Sequence, residues 1–148
     1  MGEVRIVRDG GPSPIVAGGA DTNGRFDFLV STYPYLAGPP LHVHDEQDDT
    51  FFVLEGILTI QVGDELIDLG PGDFATVPPG IAHTFANAKA DQGPVRAVNV
   101  MTPGGFDGYF REAFASGGPP DPSIMNDLGR KYGVTWVGPT IAARLGLN

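Results

Sequence analysis

The chain contains no cysteine, which excludes disulfide staples, thiol nucleophiles and thiolate-held metals together. It also lacks any long apolar run. Nothing in its 148 residues approaches the length a helix needs to cross a bilayer. Positive charge is scarce: nine Lys and Arg stand against eighteen Asp and Glu, a formal net charge of −9. Nucleic acid and anionic membrane surfaces would repel such a chain and are excluded as partners. The opening stretch "MGEVRIVRDGG" has no apolar centre of the kind a secretory signal requires. The expected location is therefore the cytoplasm, and the Met1-Gly2 start is not read as a lipid-anchor signal. Histidine is scarce too, with three in the whole chain.

What is abundant is turn chemistry. With 22 Gly, 14 Pro and 41% hydrophobic residues, the composition suits a soluble domain of many short strands better than one of long helices. No repeat or low-complexity tract interrupts it. Eight segments read as strands: Arg25–Val30, Pro40–His44, Thr50–Gly56, Ile57–Val62, Glu65–Leu69, Asp73–Val77, Ala82–Ala86 and Val95–Val100. Gly63-Asp64 reads as a tight hairpin turn, and "GPGD" and "PPG" as further turns. Strands at this spacing predict an antiparallel sandwich or barrel. Beyond Met101 the pattern changes. Phe106, Tyr109, Phe110 and Phe114 recur at helical spacing within Gly104–Ser116. Asp121 then caps a second helix that starts at Pro122 and runs to about Tyr132, followed by an extended "VTWVGP" and a helical tail.

Two of the three histidines lie in "GPPLHVHDEQDDTFFVLEG", Gly38 to Gly56. Alternate side chains of a strand share a face, so His42 and His44 point one way while Leu41 and Val43 point the other. Two imidazoles on one face can reach one ion, although the same pair also fits two surface histidines on an edge strand. The third histidine favours the ion. His83 follows "VPPGIA", whose Pro and Gly force a sharp approach to it. With one carboxylate, these residues read as a metal site split across two adjoining strands. The remaining acids of "DEQDD" read as a solvated turn.

The same residues resemble the cupin superfamily. Its first motif is two histidines separated by one residue, then three or four residues, an acid, six intervening residues and a glycine; here these are His42, His44, Asp49 and Gly56. Its second motif is matched by Gly72, Pro78, Gly80, His83 and Asn87, with every spacing kept. The resemblance spans about residues 25 to 114 and is strongest to small single-domain cupins of the quercetin 2,3-dioxygenase-like kind. It implies an all-β double-stranded β-helix, a jelly-roll barrel with short C-terminal helices and the metal inside. The implied organisation is a single domain over 1–148, with a barrel core of about 25–101 and a helical segment of about 104–148. The implied ligands are His42, His44, His83 and the acid. One departure stands out: Asp49 occupies a position where cupins place glutamate, one methylene longer. Direct ligation, ligation through water and a three-histidine site with a free acid all remain open.

The resemblance implies a dioxygenase whose metal binds an ionisable hydroxyl of an aromatic or enolic small molecule, with Asp49 as ligand or as general base. The ion is one divalent transition metal, and imidazole and carboxylate suit iron, manganese, nickel, cobalt, copper and zinc alike. Strand parity places Phe51 and Val53 on the face of Asp49, and Phe85 on the face of His83. With Phe106, Tyr109 and Phe110, these are the candidate substrate-pocket residues; each also suits plain core. Tyr33 and Tyr35 are further candidates for the mouth. A homodimer is expected from the resemblance, with the irregular stretch before Arg25 against the partner. Two other readings stand beside the oxygenase: a non-oxidative metalloenzyme such as a cyclase, isomerase or lyase, and a cupin that binds a ligand without turning it over.

Overall fold

The computed structural model describes residues 4–8, 13–118 and 120–148. The Met1-Gly2 start and residues 10–12 of the irregular stretch lie outside the described residues. Ten strands and three helices are described. The strands are β1 (Ile15–Ala17), β2 (Asp27–Tyr33), β3 (His42–His44), β4 (Asp48–Glu55), β5 (Leu58–Val62), β6 (Glu65–Leu69), β7 (Phe74–Val77), β8 (His83–Ala86), β9 (Val95–Thr102) and β10 (Val134–Trp136). The helices are α1 (Asp107–Ala113), α2 (Pro122–Tyr132) and α3 (Ile141–Leu145).

The strands form two five-stranded antiparallel sheets, ordered β1-β2-β9-β4-β7 and β10-β3-β8-β5-β6. This corrects the expected jelly-roll barrel. Among the described residues neither sheet closes on itself, and no ladder joins an edge of one to an edge of the other. The physical reason lies at the edges: β1 and β10 run for only three residues each, too short to carry pairing onward. The architecture is an open two-sheet sandwich with helices packed on it.

The chain passes back and forth between the sheets, so alternation along each strand sets one face inward. β9 shows it cleanly: Val95, Ala97, Asn99 and Met101 are buried while Arg96, Val98, Val100 and Thr102 are half-exposed. Phe51, Val53, Val95 and Ala97 of the first sheet meet Leu58, Ile60 and Leu69 of the second in the main core. A second cluster, Met101, Phe106, Tyr109, Ala113 and Val134, fixes α1 and β10 against the end of β9. Asp121 caps α2 by accepting from the Ser123 amide, with Pro122 at its first position. None of the described helices is long and apolar enough to cross a membrane.

Candidate metal centre

Three histidines converge from the second sheet. His42 and His44 lie one strand step apart on β3, and β8 sets His83 directly across from His42. Asp49 meets them from β4 of the first sheet, where it pairs with Val77 and Met101. The ligand strands β3 and β4 are thus neighbours in sequence but not in either sheet, and the site bridges the sandwich. All four side chains are buried, and one ligand atom from each lies within 4.8 Å of every other. A cluster of this composition and spread is positioned to chelate a single divalent metal ion.

Backbone carbonyls aim two of the rings. His42 Nδ1 donates to the Pro40 carbonyl at 2.7 Å and His83 Nδ1 to the Ile81 carbonyl at 2.9 Å. Each bond leaves Nε2 turned to the centre, the usual outer-shell arrangement of a ligating histidine. His44 Nδ1 is buried without a hydrogen-bond partner among the described residues. An edge-to-face contact with Phe106, centroids 4.8 Å apart, packs that ring instead.

Asp49 is the electrostatic hub. Its Oδ2 lies 2.8 Å from His83 Nε2 and 3.3 Å from His44 Nε2. Its Oδ1 accepts from Asn99 Nδ2 at 2.6 Å. Burial pushes the carboxyl pKa up, but the hydrogen bonds and charge of His44 and His83 outweigh it and hold the group far below the ordinary carboxylate range. For His83, burial works against the charged form, yet the bond to Asp49 and its charge win and the pKa is raised. His42 has no such partner: burial, then the neighbouring His83 and His44, pushes its pKa down to about 4.

The centre opens on a cavity of about 910 Å³ with a predominantly apolar wall. Phe85, Phe106, Tyr109 and Phe110 all line it, as do His42, His44 and Asp49. Phe51 and Val53 share the face of Asp49 but belong to the main core, and His83 is likewise absent from the wall. Tyr33 lines the cavity and Tyr35 does not. Burial drives the Tyr33 hydroxyl pKa up to about 12. Residues not anticipated from sequence complete the wall, chief among them Leu29, Asn99, Met101 and Trp136. Asn99 did leave a signal: it is the one amide on the buried face of an otherwise apolar strand.

Residues 29–101 match the cupin domain family profile. The chain is 34% identical over 97 residues to the quercetin 2,3-dioxygenase of Bacillus subtilis (strain 168), covering 66% of this chain and 28% of that protein. Among solved structures, the TT1209 protein of Thermus thermophilus aligns with a TM-score of 0.54 and 25% identity, covering 66% of this chain and 90% of that one. An uncharacterized conserved protein with double-stranded beta-helix domain from Klebsiella pneumoniae aligns with a TM-score of 0.54 and 26% identity, covering 69% and 92%. Profile, relatives and the two histidine motifs agree in one likeness, to the cupin superfamily, carried by the strand-rich part of the chain.

Proposed function

We propose that the chain is a metal-dependent oxygenase of the quercetin 2,3-dioxygenase kind, acting on an aromatic or enolic small molecule. The observation that carries this reading is the buried His42, His44, His83 and Asp49 cluster at the head of an apolar cavity. Such a cavity suits a flat apolar body whose single polar end reaches the ion. The resemblance to the Bacillus enzyme supports the reaction class, although the matched stretch spans 28% of that enzyme's length.

His42, His44 and His83 would hold the ion through Nε2, and Asp49 through Oδ2. A divalent transition metal bound there supplies a position for an ionised hydroxyl of the substrate. Phe85, Phe106, Tyr109 and Phe110 keep water from the reacting end and press on the substrate's faces. Asp49 fits a ligand better than a general base: both its oxygens are engaged and its pKa is held low.

The test is oxygen uptake by the metal-loaded protein with a flavonol. Uptake is expected for the wild type and not for His44→Ala. Unchanged uptake in that variant would place the chemistry elsewhere, and turnover equally fast without oxygen would make the enzyme a non-oxidative one. The chain is further proposed to act as a cytoplasmic homodimer. Exposed Phe52 and Phe74, paired across β4 and β7, give the first sheet an apolar outer patch in support. A solution mass of one chain would refute the dimer.

A further inference from the structure

Aspartate at position 49 leaves a short arm to reach an ion shared with three histidines, so its two oxygens must be divided with care. Three nitrogens meet it. Two are the Nε2 atoms of His83 and His44, both at Oδ2. The third is Asn99 Nδ2, at Oδ1 and 2.6 Å. The same Nδ2 donates to the Thr50 carbonyl at 3.0 Å. Both hydrogens of the amide are therefore committed, and both acceptors lie on β4, the strand that β9 pairs with through Asn99 and Phe51.

The amide can take only this orientation. Turned over, it would set Oδ1 against a carboxylate oxygen and a carbonyl oxygen, neither of which donates. Asp49 and Asn99 are 3% and 6% exposed, so a water reaching Oδ1 from the cavity would be a mobile replacement for a donor that β9 holds fixed. Without Asn99, Oδ1 would be left buried without a fixed partner, and the carboxylate would be free to rotate both oxygens toward the histidines.

We propose that Asn99 is the positioning residue of the metal centre: it ties down Oδ1 of Asp49 so that Oδ2 alone faces the histidines, and the short carboxylate binds the ion through one oxygen. The assignment rests on reading the cluster as a metal site, but not on any reaction there. It also explains how an aspartate serves in this position. The fixed orientation removes the rotational freedom that would otherwise weaken a shorter ligand.

The experiment loads the chelator-stripped full chain with Co²⁺ and reads both its dissociation constant and its visible ligand-field bands. Wild type is compared with Asn99→Leu, which keeps the volume, with Asn99→Ala, and with Ala97→Gly as a control. Ala97 is buried on the same face of β9 two residues away and offers Asp49 no donor. Both Asn99 variants are expected to bind Co²⁺ about 10- to 100-fold more weakly and to show altered bands. Ala97→Gly is expected to lower the thermal midpoint while leaving affinity and bands unchanged. Wild-type affinity and bands in Asn99→Leu or Asn99→Ala would overturn the assignment, as would an equal change in Ala97→Gly. A wild type that binds no Co²⁺ overturns the assignment and the metal reading together. A wild type with the expected Co²⁺ behaviour but no oxygen uptake under any metal sinks the oxygenase alone.

Discussion

His42 and His83 lie opposite each other on paired strands, yet their protons answer to different neighbours. In the metal-free fold His42 resists protonation down to about 4, whereas an unfolded histidine titrates near 6.5. The unfolded state therefore binds more protons between those values, and stability falls as pH drops through that window. His83 has the opposite sign. Its folded pKa is raised above 6.5 by Asp49, so its contribution is complete below 6.5 and is lost as pH rises through the folded value. The thermal midpoint of the metal-free chain is expected to peak near pH 6.5. Bound metal keeps His83 unprotonated, so the alkaline fall should vanish in the loaded protein; a scan of melting against pH, with and without Zn²⁺, checks both limbs. Asp49→Ala removes the partner of a buried imidazolium. It is expected to abolish metal binding by elemental analysis and, at pH 6, to cost the metal-free chain about 3–5 kcal/mol in urea titration.

At the scale of elements, what matters is how closely loops and strands are seated around the ligands. The loop before β3 lies directly on β8. Leu36 and Asn87 exchange a backbone bond, as do Asn87 and Ala37, and a Cβ added at Gly38 would stand 2.1 Å from the Phe85 carbonyl oxygen. That oxygen belongs to backbone and cannot swing away. Gly38→Ala is expected to destabilise by about 1–3 kcal/mol in denaturant titration. Because the clash parts the strands bearing His42 and His83, metal affinity should fall with it. On α3, none of whose residues lines the cavity, Thr140 caps the helix by accepting from the Ala143 amide. Thr140→Ala should cost about 1 kcal/mol and leave metal affinity as it was. The pair separates loss of stability from loss of site geometry.

For the whole molecule, the centre works as a clasp. Its three histidines belong to one sheet and its carboxylate to the other, and no strand pairing among the described residues joins the sheets at an edge. An ion held by all four would add a cross-link that the unfolded chain lacks. At a free metal concentration about 100 times the dissociation constant, that linkage is worth roughly 2.7 kcal/mol. Stripping the metal with a chelator is expected to lower the thermal midpoint, and re-addition to restore it, both followed by calorimetry. An unchanged midpoint would mean that the sheets are held by the core around Phe51 and Ile60 alone.

The local pieces of this molecule are legible in its sequence. Period-two alternation and Gly or Pro punctuation mark β3 to β9 to within a few residues, because strand and turn formation are settled by neighbouring side chains. Asp121 and Pro122 likewise mark the start of α2, where the observed helix begins. The spacing of His42, His44, Asp49 and His83 draws the ligands together without any knowledge of the packing, since each motif is short and rigid. The rest belongs to the three-dimensional arrangement. Closure into a barrel depends on whether edge strands find partners, and the three-residue β1 and β10 end the sheets instead. Asn99, fifty positions from Asp49 in the chain, reaches it only because β9 lies beside β4. Phe51 went to the main core alone, while Phe106 serves both the second buried cluster and the cavity wall, an outcome that parity and helical spacing leave open because both places reward the same apolar surface.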